Sequence, residues 1–409
     1  MQASFASPAY PRIIIKTMRK LSLFILLSLA LCTYAAPRAP RFRGAWIATV
    51  ANIDWPSASA VGNSLRQQQE MLFLLDSLQS LGVNAIIFQV RPTADALYYS
   101  ELEPVSLWLT GKTGSWGVQM PYDPLAFVLR EAHARGMEVH VWINPYRLTL
   151  KDYPLPEATA HILKACAFQY NNQWYLDPGK EDTQAWICMV VSDIVSRYDI
   201  DAIHMDDYFY PYPVKGQSIP DRATYEANPR GFSNINDWRR DNVNTIIREL
   251  HTVIKSLKPE VQFGISPFGV YRNDSTLGIQ AGMTNYDDLY ADIVLWMKEG
   301  WIDYVVPQLY WEIGRKGVDY ATLARWWADN SHGCRLYIGM APYRLINQPT
   351  SKQKTSAWAI GNEIMRQLHF NDSIPEIQGE CFYSTRPLLK NPRHLCDSLK
   401  DRLATERPR

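Results

Sequence analysis

Two neighbouring aspartates, Asp206 and Asp207, are the residues whose types and spacing best suit catalysis. They follow an apolar run with period-two alternation, residues 199–205, and precede three aromatic residues and Pro211. Such a run is typical of a buried strand whose last residues emerge into a site. Two carboxylates at one strand end are unfavourable unless water, partner groups or a substrate stabilises them. The pair therefore predicts a functional site at the end of this strand.

Glycoside hydrolysis is a reaction that uses carboxylates on an oxygen-rich, uncharged substrate, and it needs a general acid together with a nucleophile or base. We predict Asp206 as the first catalytic carboxylate. Adjacent residues on one strand rarely flank a bond from both sides, so the identity of the second carboxylate stays open. The candidates are Asp207, Glu312, Asp95 and Asp54. A retaining or inverting outcome depends on the carboxylate separation, which the sequence does not give.

The composition describes a folded chain with a mildly acidic body. Of 409 residues, 47% are hydrophobic and 20% are charged, which is enough to bury a large core. The first 35 residues hold four of the 42 cations and none of the 41 acids, which leaves 38 cations against 41 acids. Such a body argues against nucleic acid as a partner. The 14 Trp and 23 Tyr suit a carbohydrate-binding face.

Residues 1–35 predict a leader and signal peptide, because a short basic segment at 18–20 precedes an apolar run at 21–31. That run is too short for a membrane span of roughly 20 residues. The predicted location is the periplasm or cell envelope. A lipid anchor at Cys32 is a second option and would be the only contact with a membrane. The five later cysteines show no paired spacing, which predicts isolated thiols.

Eight predicted strands alternate with eight predicted helices along the chain. The strands are expected at 44–50, 84–92, 138–145, 199–206, 261–267, 302–311, 335–341 and 379–384, with the last two helices at 351–370 and 387–403. This alternation predicts an α/β fold, a (β/α)8 TIM barrel with long βα-loops on its C-terminal face. Residues 42–386 would form the catalytic barrel, and residues 387–409 a C-terminal helix completing the barrel and a tail. The absence of a GxGxxG or P-loop turn argues against a nucleotide site.

Strand alternation predicts which side chains face the barrel axis. The inward set is expected to be Gln89, Arg91, His140, Trp142, Asn144, His204, Asp206, Gln308 and Tyr310. Four strands thus deliver polar groups to one mouth, where a barrel serving stability alone would carry Val, Ile and Leu. The same alternation turns Asp207 away from Asp206.

Structural roles compete with catalytic ones at several positions. Ion pairs of the two aspartates with Arg91 or Arg147 would hold loops together, and His140 and His204 are expected to be satisfied core histidines. Sugar platforms are expected at Trp55, Trp116 and Trp311, near strand ends or in loops. The triplet His204-Met205-Asp206 is too weak a ligand motif to predict a metal.

Six segments together resemble the bacterial glycosyl-hydrolase-like 10 family. They lie in order over about residues 42–386, at 44–49 with 52–56, 88–92 with 95–98, 142–147, 204–211, 265–269 and 307–311. The resemblance implies a TIM-barrel hydrolase of the cell envelope. In some members it implies a glycosidase acting on peptidoglycan glycan strands already stripped of their peptides.

The resemblance also implies that Asp206 and Asp207 are the family's signature acid pair, whereas Glu312 lies outside the family pattern. The expected substrate-binding residues are Arg91, Asp95, Asn144, Arg147, Tyr208, Gln308, Tyr310, Trp311 and Trp55. No cofactor or metal is expected. Two other functions stay open: a non-catalytic glycan-binding barrel, because fold alone never proves activity, and a metal-dependent polysaccharide hydrolase or deacetylase.

Overall fold

Eight parallel strands close into a barrel in the computed structural model, which describes residues 41–112, 120–346 and 356–406. The ten strands are β1 (Phe42–Ile47), β2 (Ala85–Arg91), β3 (Glu138–Ile143), β4 (Ala167–Tyr170), β5 (Gln173–Leu176), β6 (Ala202–Met205), β7 (Gln262–Ile265), β8 (Tyr304–Val305), β9 (Arg335–Met340) and β10 (Ile377–Phe382). All but β4 and β5 belong to the barrel, and β10 pairs with β1 to close it. The predicted TIM barrel is confirmed.

Helices follow the barrel strands and cover the outside. They are α1 (Ser64–Ser80), α2 (Leu107–Thr110), α3 (Pro124–His133), α4 (Glu157–Leu163), α5 (Glu181–Arg197), α6 (Arg222–Ala227), α7 (Ile235–Leu257), α8 (Asn285–Asp288), α9 (Ile293–Lys298), α10 (Tyr320–Asp329), α11 (Ala357–Ile360), α12 (Glu363–Asp372), α13 (Thr385–Leu389) and α14 (Leu395–Glu406). Within the described ranges, none is long and apolar enough to cross a membrane. The segments after β2, β3, β6 and β7 are long, as predicted, and one contains the β4–β5 hairpin.

Local sequence signals set several helix ends. The side chain of Asp123 accepts a hydrogen bond from the Ala126 backbone and caps α3, and Gly136 follows the helix with φ 69°. Gly82 plays the same part after α1, with φ 74°. A left-handed residue just past a helix is a position that glycine fills without steric cost.

Three elements differ from the prediction. The sixth barrel strand is only β8, two residues long, because Pro307 lacks the N–H that a continuing ladder needs. The helix expected at 351–370 is two helices with Gly361 between them, and residues 351–355 lie outside the described ranges. The helix expected at 387–403 is interrupted at Asn391-Pro392 and becomes α13 and α14. The leader at 1–35, including Cys32, also lies outside the described residues.

The inside of the barrel is filled by aromatic and histidine side chains. The Tyr304 hydroxyl lies 2.7 Å from Nδ1 of His140 and 3.0 Å from Nδ1 of His204, and Nε2 of His204 lies 2.9 Å from the Ser266 hydroxyl. Both histidines are fully buried and hydrogen-bonded, so their predicted role as core residues is confirmed. A Cβ on Gly264 would lie 1.9 Å from the Tyr304 ring, so only glycine leaves room for that tyrosine.

The apolar side chains of the strands face the helices. Ile203 and Met205 of β6 belong to the main core cluster, which also contains Val243 and Ile246 of α7, whereas Ala202 belongs to the barrel interior. This alternation is what turns the residue after β6 toward the mouth of the barrel. The five described cysteines are all free thiols, as predicted.

Candidate active site

The carboxyl ends of the barrel strands form a mouth lined by polar side chains. Asp206 and Asp207 follow β6 directly, Asn144 follows β3, and Tyr383 follows β10. Gln308 lies three residues beyond the end of β8. In this fold the loops at that face build the active site. The predicted polar residues of separate strands therefore meet at the expected end of the barrel.

Asp206 is held by three donors. Its Oδ2 accepts a short hydrogen bond from the Asn144 amide and one of 3.2 Å from the Trp142 indole, and its Oδ1 accepts from the Tyr208 backbone N–H at 3.2 Å. Only 4% of Asp206 is exposed. The side chain is thus fixed in one orientation at the floor of the mouth.

A hydrogen-bond relay fixes Asn144 in turn. The Gln89 oxygen accepts from the backbone N–H groups of Thr49 and Val50, each at 2.9 Å, and the Gln89 amide donates to Asn144 Oδ1 at 2.6 Å. Arg147 donates to the same Asn144 oxygen at 3.0 Å. With its oxygen occupied in this way, Asn144 can present only its NH₂ group to Asp206. Gln89 and Asn144 are therefore positioning residues for the carboxylate.

Asp207 has different partners but shares the mouth. Its Oδ2 accepts a short hydrogen bond from the Tyr212 hydroxyl, and its Oδ1 accepts from the Gln308 amide at 3.2 Å. The predicted alternation does not apply to Asp207, because β6 ends at Met205 and the chain bends there. Both carboxyl groups are buried at the end of β6, and the charge of Asp207 helps to raise the pKa of Asp206.

Burial dominates the electrostatics of the pair. It raises the pKa of Asp206 to about 7, with a further contribution from the charge of Asp207, while Arg147 and the hydrogen bonds from Tyr208 and Asn144 act in the opposite direction. Burial also raises the pKa of Asp207, against the hydrogen bonds from Tyr212 and Gln308. A carboxyl group that is protonated near neutral pH is suited to general-acid catalysis.

Arg147 and Tyr208 form one side of the site. The Arg147 guanidinium lies 5.0 Å from the centre of the Tyr208 ring, and its Nε donates to the Pro92 carbonyl at 3.0 Å. The Tyr208 ring stacks on Tyr212, with 5.0 Å between centroids. Asn144, Arg147, Tyr208 and Gln308 are thus assembled around the aspartates, and their contacts with substrate stay predictions.

Three tyrosines form another side. Tyr310 stacks on Tyr383 at 5.9 Å between centroids, and Tyr343 meets both rings edge-on at 6.1 and 6.3 Å. All three are partly exposed, and within the described residues their hydroxyl groups have no hydrogen-bond partner. Burial raises the pKa of both phenols, with smaller contributions from Tyr383, Tyr343 and finally Asp207 at Tyr310, and from Asp54, Tyr208 and then Asp206 at Tyr383. This tyrosine wall offers both ring faces and hydroxyl groups to a ligand.

Arg91 does not reach the mouth, contrary to the prediction. The pairing of β2 with β3 shifts register between Gln89 and Arg91, so the alternation is broken there. The guanidinium binds both oxygens of Glu103 at 2.5 and 2.7 Å and the carbonyls of Asn144 and Pro145. Arg91 is 1% exposed and stabilises the backbone that carries Asn144.

Trp55 and Asp95, two further predicted substrate-binding residues, are both buried in the scaffold. Trp55 is completely buried in the core, where its indole donates to the Gln67 carbonyl at 2.9 Å and packs against Phe88. Asp95 is buried and accepts from the backbone N–H and the hydroxyl of Thr93, which fixes the turn after β2. The prediction that they bind substrate rests on their position in loops, and loop position alone does not reveal that a side chain is buried.

Trp311 is half-buried, with its ring packed edge-on against Phe268 at 5.5 Å and beside Gly269. Its role as a sugar platform stays a prediction. Trp116, another expected platform, lies outside the described residues.

The candidates for a second carboxylate separate clearly. Asp54 is buried beneath the mouth, where it accepts from Ser384, the Arg386 backbone and the Ala48 backbone. Glu312 lies 3.5 Å from Arg315 and borders a separate cavity with Glu363. Asp95 is held in its turn, and Asp207 is the one of these four carboxylates whose charge is seen to raise the pKa of Asp206.

Sequence reasoning missed Tyr212, Tyr343 and Tyr383. Tyr383 directly follows the eighth barrel strand, so the rule that found Asn144 and Asp206 also applies to it. Tyr212 lies on an irregular segment and Tyr343 in a 3-10 helix of four residues, Pro342–Leu345, and neither is long enough to carry a periodic signal for the direction of a side chain. Among the described residues, no cluster of three or more His, Cys, Asp or Glu could hold a metal ion.

The fold and site define a TIM-barrel protein with a buried pair of carboxylates at the catalytic end, the arrangement in which glycoside hydrolases carry out their chemistry. The sequence profile of the family described as Glycosyl hydrolase-like 10 matches residues 41–360. The chain belongs to this family, which confirms the resemblance.

Two relatives cover most of the chain. Glycosyl hydrolase YngK of Bacillus subtilis (strain 168) is 44% identical over 369 residues, which are 87% of this chain and 70% of the relative. Glycosyl hydrolase DigH of Escherichia coli (strain K12) is 40% identical over 367 residues, 83% of this chain and 82% of the relative.

Solved structures share the fold at low identity. The PgaB (BpsB) glycoside hydrolase domain from Bordetella bronchiseptica has a TM-score of 0.55 at 11% identity and covers 88% of this chain and 98% of its own. The catalytic domain of a β-amylase from Paenibacillus polymyxa has a TM-score of 0.55 at 12% identity, with 90% and 99% covered. At such identities the likeness shows the fold alone.

Proposed function

We propose that this protein is an exported glycoside hydrolase that cleaves a bacterial polysaccharide, namely peptidoglycan glycan strands lacking stem peptides. The observation that carries the hydrolase part is the buried Asp206–Asp207 pair at the catalytic end of the barrel, in a chain whose relatives are named glycosyl hydrolases. An oxygen-rich substrate without a strong charge also fits the mildly acidic body and the tyrosine wall.

In this proposal Asp206 donates a proton to the leaving glycosidic oxygen. Its pKa of about 7 keeps it partly protonated at neutral pH, and the relay from Gln89 through Asn144 fixes its direction. Arg147 limits how far the pKa rises, so the group can return to its basic form and accept a proton from water in the second half of the reaction. Asp207, the adjacent carboxylate, works on the same sugar.

Export and the choice of glycan rest on the sequence. The basic and apolar pattern at 18–31 is typical of a secretory signal, and a lipid anchor at Cys32 would tether the enzyme to the membrane. The resemblance to the family implies peptidoglycan strands already stripped of peptides. Both points are separate from the chemistry and are tested separately, the first by fractionating cells and the second by comparing substrates.

The decisive experiment incubates the protein with denuded glycan strands, intact peptidoglycan and other bacterial polysaccharides, and measures new reducing ends. We expect new reducing ends from denuded strands. In Asp206→Asn the rate of their release should fall by about 10³-fold or more, because the substitution removes the group that transfers the proton. Asp329→Asn, an exposed aspartate at the end of α10, is the matched control and should leave the rate unchanged.

Three outcomes would contradict the proposal. Equal product from Asp206→Asn and the parent protein would exclude the assigned chemistry. Tight glycan binding with no product from either protein would establish a glycan-binding barrel. Activity that disappears with a chelator and returns with a stoichiometric metal would establish a metal-dependent hydrolase or deacetylase.

A further inference from the structure

All Asp and Glu residues between positions 1 and 409 lie in the parts of the chain that the structure describes. The segments outside the described ranges, residues 1–40, 113–119, 347–355 and 407–409, contain no Asp or Glu.

Only β6 delivers carboxylates to the mouth directly. The three residues after each of the other seven barrel strands include no Asp or Glu. Deeper in the loops, Asp54 is enclosed by three donors, Glu103 is ion-paired to Arg91, and Asp221 is ion-paired to Arg239. Asp177 accepts from Thr224 and the Gly179 backbone. These loop carboxylates are committed to holding the scaffold.

This arrangement conflicts with the usual two-carboxylate mechanisms. An inverting enzyme needs its base across the sugar ring from the acid, at about 6.5–9.5 Å, and a retaining enzyme needs a nucleophile there at about 5–5.5 Å. Asp206 and Asp207 are consecutive residues at one strand end, so both approach the sugar from the β6 side. On the opposite side of the barrel, after β10, Tyr383 packs with Tyr310 and Tyr343. The carboxylate on that side, Asp54, is enclosed by its own hydrogen-bond donors.

We propose that the nucleophile comes from the substrate: the carbonyl oxygen of a 2-acetamido group on the sugar whose bond is cleaved. This inference rests on the proposed hydrolase function and specifies it further. It makes a 2-acetamido group on the cleaved sugar a requirement of the reaction, and it gives the adjacent aspartates two distinct tasks on one side of that sugar.

The reaction balances without any other reactant than water. The acetamido oxygen bonds to C1 while the glycosidic C1–O bond breaks, Asp206 gives its proton to the leaving oxygen, and Asp207 accepts a hydrogen bond from the acetamido N–H. The product of this step is a cyclic oxazolinium ion. Water then attacks C1 and gives a proton to the Asp206 carboxylate, and the ring reopens with retained configuration at C1.

The partners of each aspartate suit these tasks. Asp207 accepts its side-chain hydrogen bonds from Tyr212 and Gln308, one on each oxygen, so one oxygen can exchange its partner for the acetamido N–H. The tyrosine wall supplies hydroxyl groups that have no partner within the described residues, and such a group can hold the acetamido group in position for the attack. Tyr383 directly follows β10; burial raises the pKa of its phenol, and the charges of Asp54, Tyr208 and Asp206 add to this in that order.

The test changes the nucleophilicity of the acetamido group and nothing in the protein. Denuded strands are chemically N-deacetylated and then re-acylated with acetyl, monofluoroacetyl or difluoroacetyl groups. Fluorine withdraws electrons from the carbonyl oxygen, so kcat should fall by about tenfold or more per fluorine, each tenfold being ~1.4 kcal/mol in the barrier. The acetyl-restored strand is the matched control for the chemical treatment.

Two further readouts address the same step. Proton NMR of the first product should show the retained anomer, and the thiazoline analogue of the cyclic intermediate should bind the parent protein and lose affinity in Asp207→Asn. Asp207→Asn should lower kcat much more than it raises KM, with the thermal transition of the variant confirming that it folds.

The outcomes separate this inference from the proposed function. No reducing ends from any glycan would refute the hydrolase proposal and the inference with it. Cleavage with a rate that is independent of fluorine content, or with inversion at C1, would leave the hydrolase proposal intact and overturn the substrate nucleophile alone.

Discussion

Replacing Asp206 by asparagine should abolish catalysis and yet stabilise the protein at alkaline pH. Burial raises the pKa of this group from 3.8 to about 7. Between these values the folded state binds more protons than the unfolded chain, so the free energy of unfolding falls as the pH rises through that window. At ~1.36 kcal/mol per pKa unit, the charged form costs the fold about 4 kcal/mol above pH 7.

Asparagine removes this charge but introduces a smaller penalty. In the parent protein the Tyr208 N–H donates to Oδ1 of Asp206 at 3.2 Å. When the oxygen of the new asparagine accepts the hydrogen bonds from Asn144 and Trp142, its NH₂ group takes the place of Oδ1 and faces the Tyr208 N–H. An unsatisfied donor of this kind costs roughly 1–3 kcal/mol. We therefore expect Asp206→Asn to be about 1–3 kcal/mol more stable than the parent at pH 8, and no more stable at pH 4.5, where the parent is protonated.

The assay is chemical denaturation of both proteins at the two pH values, followed by tryptophan fluorescence, with Asp329→Asn as the control that shifts neither curve. A variant that is about 3–5 kcal/mol less stable at pH 8 would refute the reasoning. That result would mean that Asp206 is the buried ionic partner of Arg147, because removing one member of such a pair leaves an uncompensated charge.

Two other changes test the electrostatics and the packing. Arg147→Gln removes a positive charge that lowers the pKa of Asp206, so the alkaline limb of the kcat/KM profile should move to higher pH by on the order of one unit. Arg147→Lys keeps the charge and should leave that limb in place. Identical pH profiles of the parent and Arg147→Gln would contradict this assignment. Gly264→Ala directs a methyl group into the Tyr304 ring and should lower stability by about 1–3 kcal/mol or more, while Gly282→Ala, with nothing within 4 Å, should have little effect in the same denaturation assay.

The relay behind Asp206 shows where sequence reasoning works and where it fails. Alternation along the strands predicts that Gln89, Asn144 and Asp206 all point inward. In the structure Gln89 is hydrogen-bonded to Asn144, and Asn144 is hydrogen-bonded to Asp206. Arg91 was placed inward by the same rule, but a register shift in β2 turns it away. A bulge depends on how two strands pair, and a single strand's sequence does not show it.

Burial explains the other failures. Trp55 and Asp95 lie in loops whose sequences do not distinguish a side chain covered by neighbouring segments from one open to solvent, and the structure buries both. Tyr212 reaches Asp207 from five residues further along the chain, through a segment without periodicity. Contacts of this kind follow from the path of a loop, and local propensity does not specify that path.

The sequence by itself determined the barrel, the end of it that carries the site and the first carboxylate, because hydrophobic periodicity and the order of strands and helices are local properties of the chain. The tertiary structure decided that Asp207 joins Asp206, that Asp54, Asp95 and Glu312 do not, and that tyrosines form the opposite wall. Those outcomes depend on which loops meet over the mouth and on which carboxylates are buried there without a cationic partner. Both are settled only when distant segments of the chain pack together.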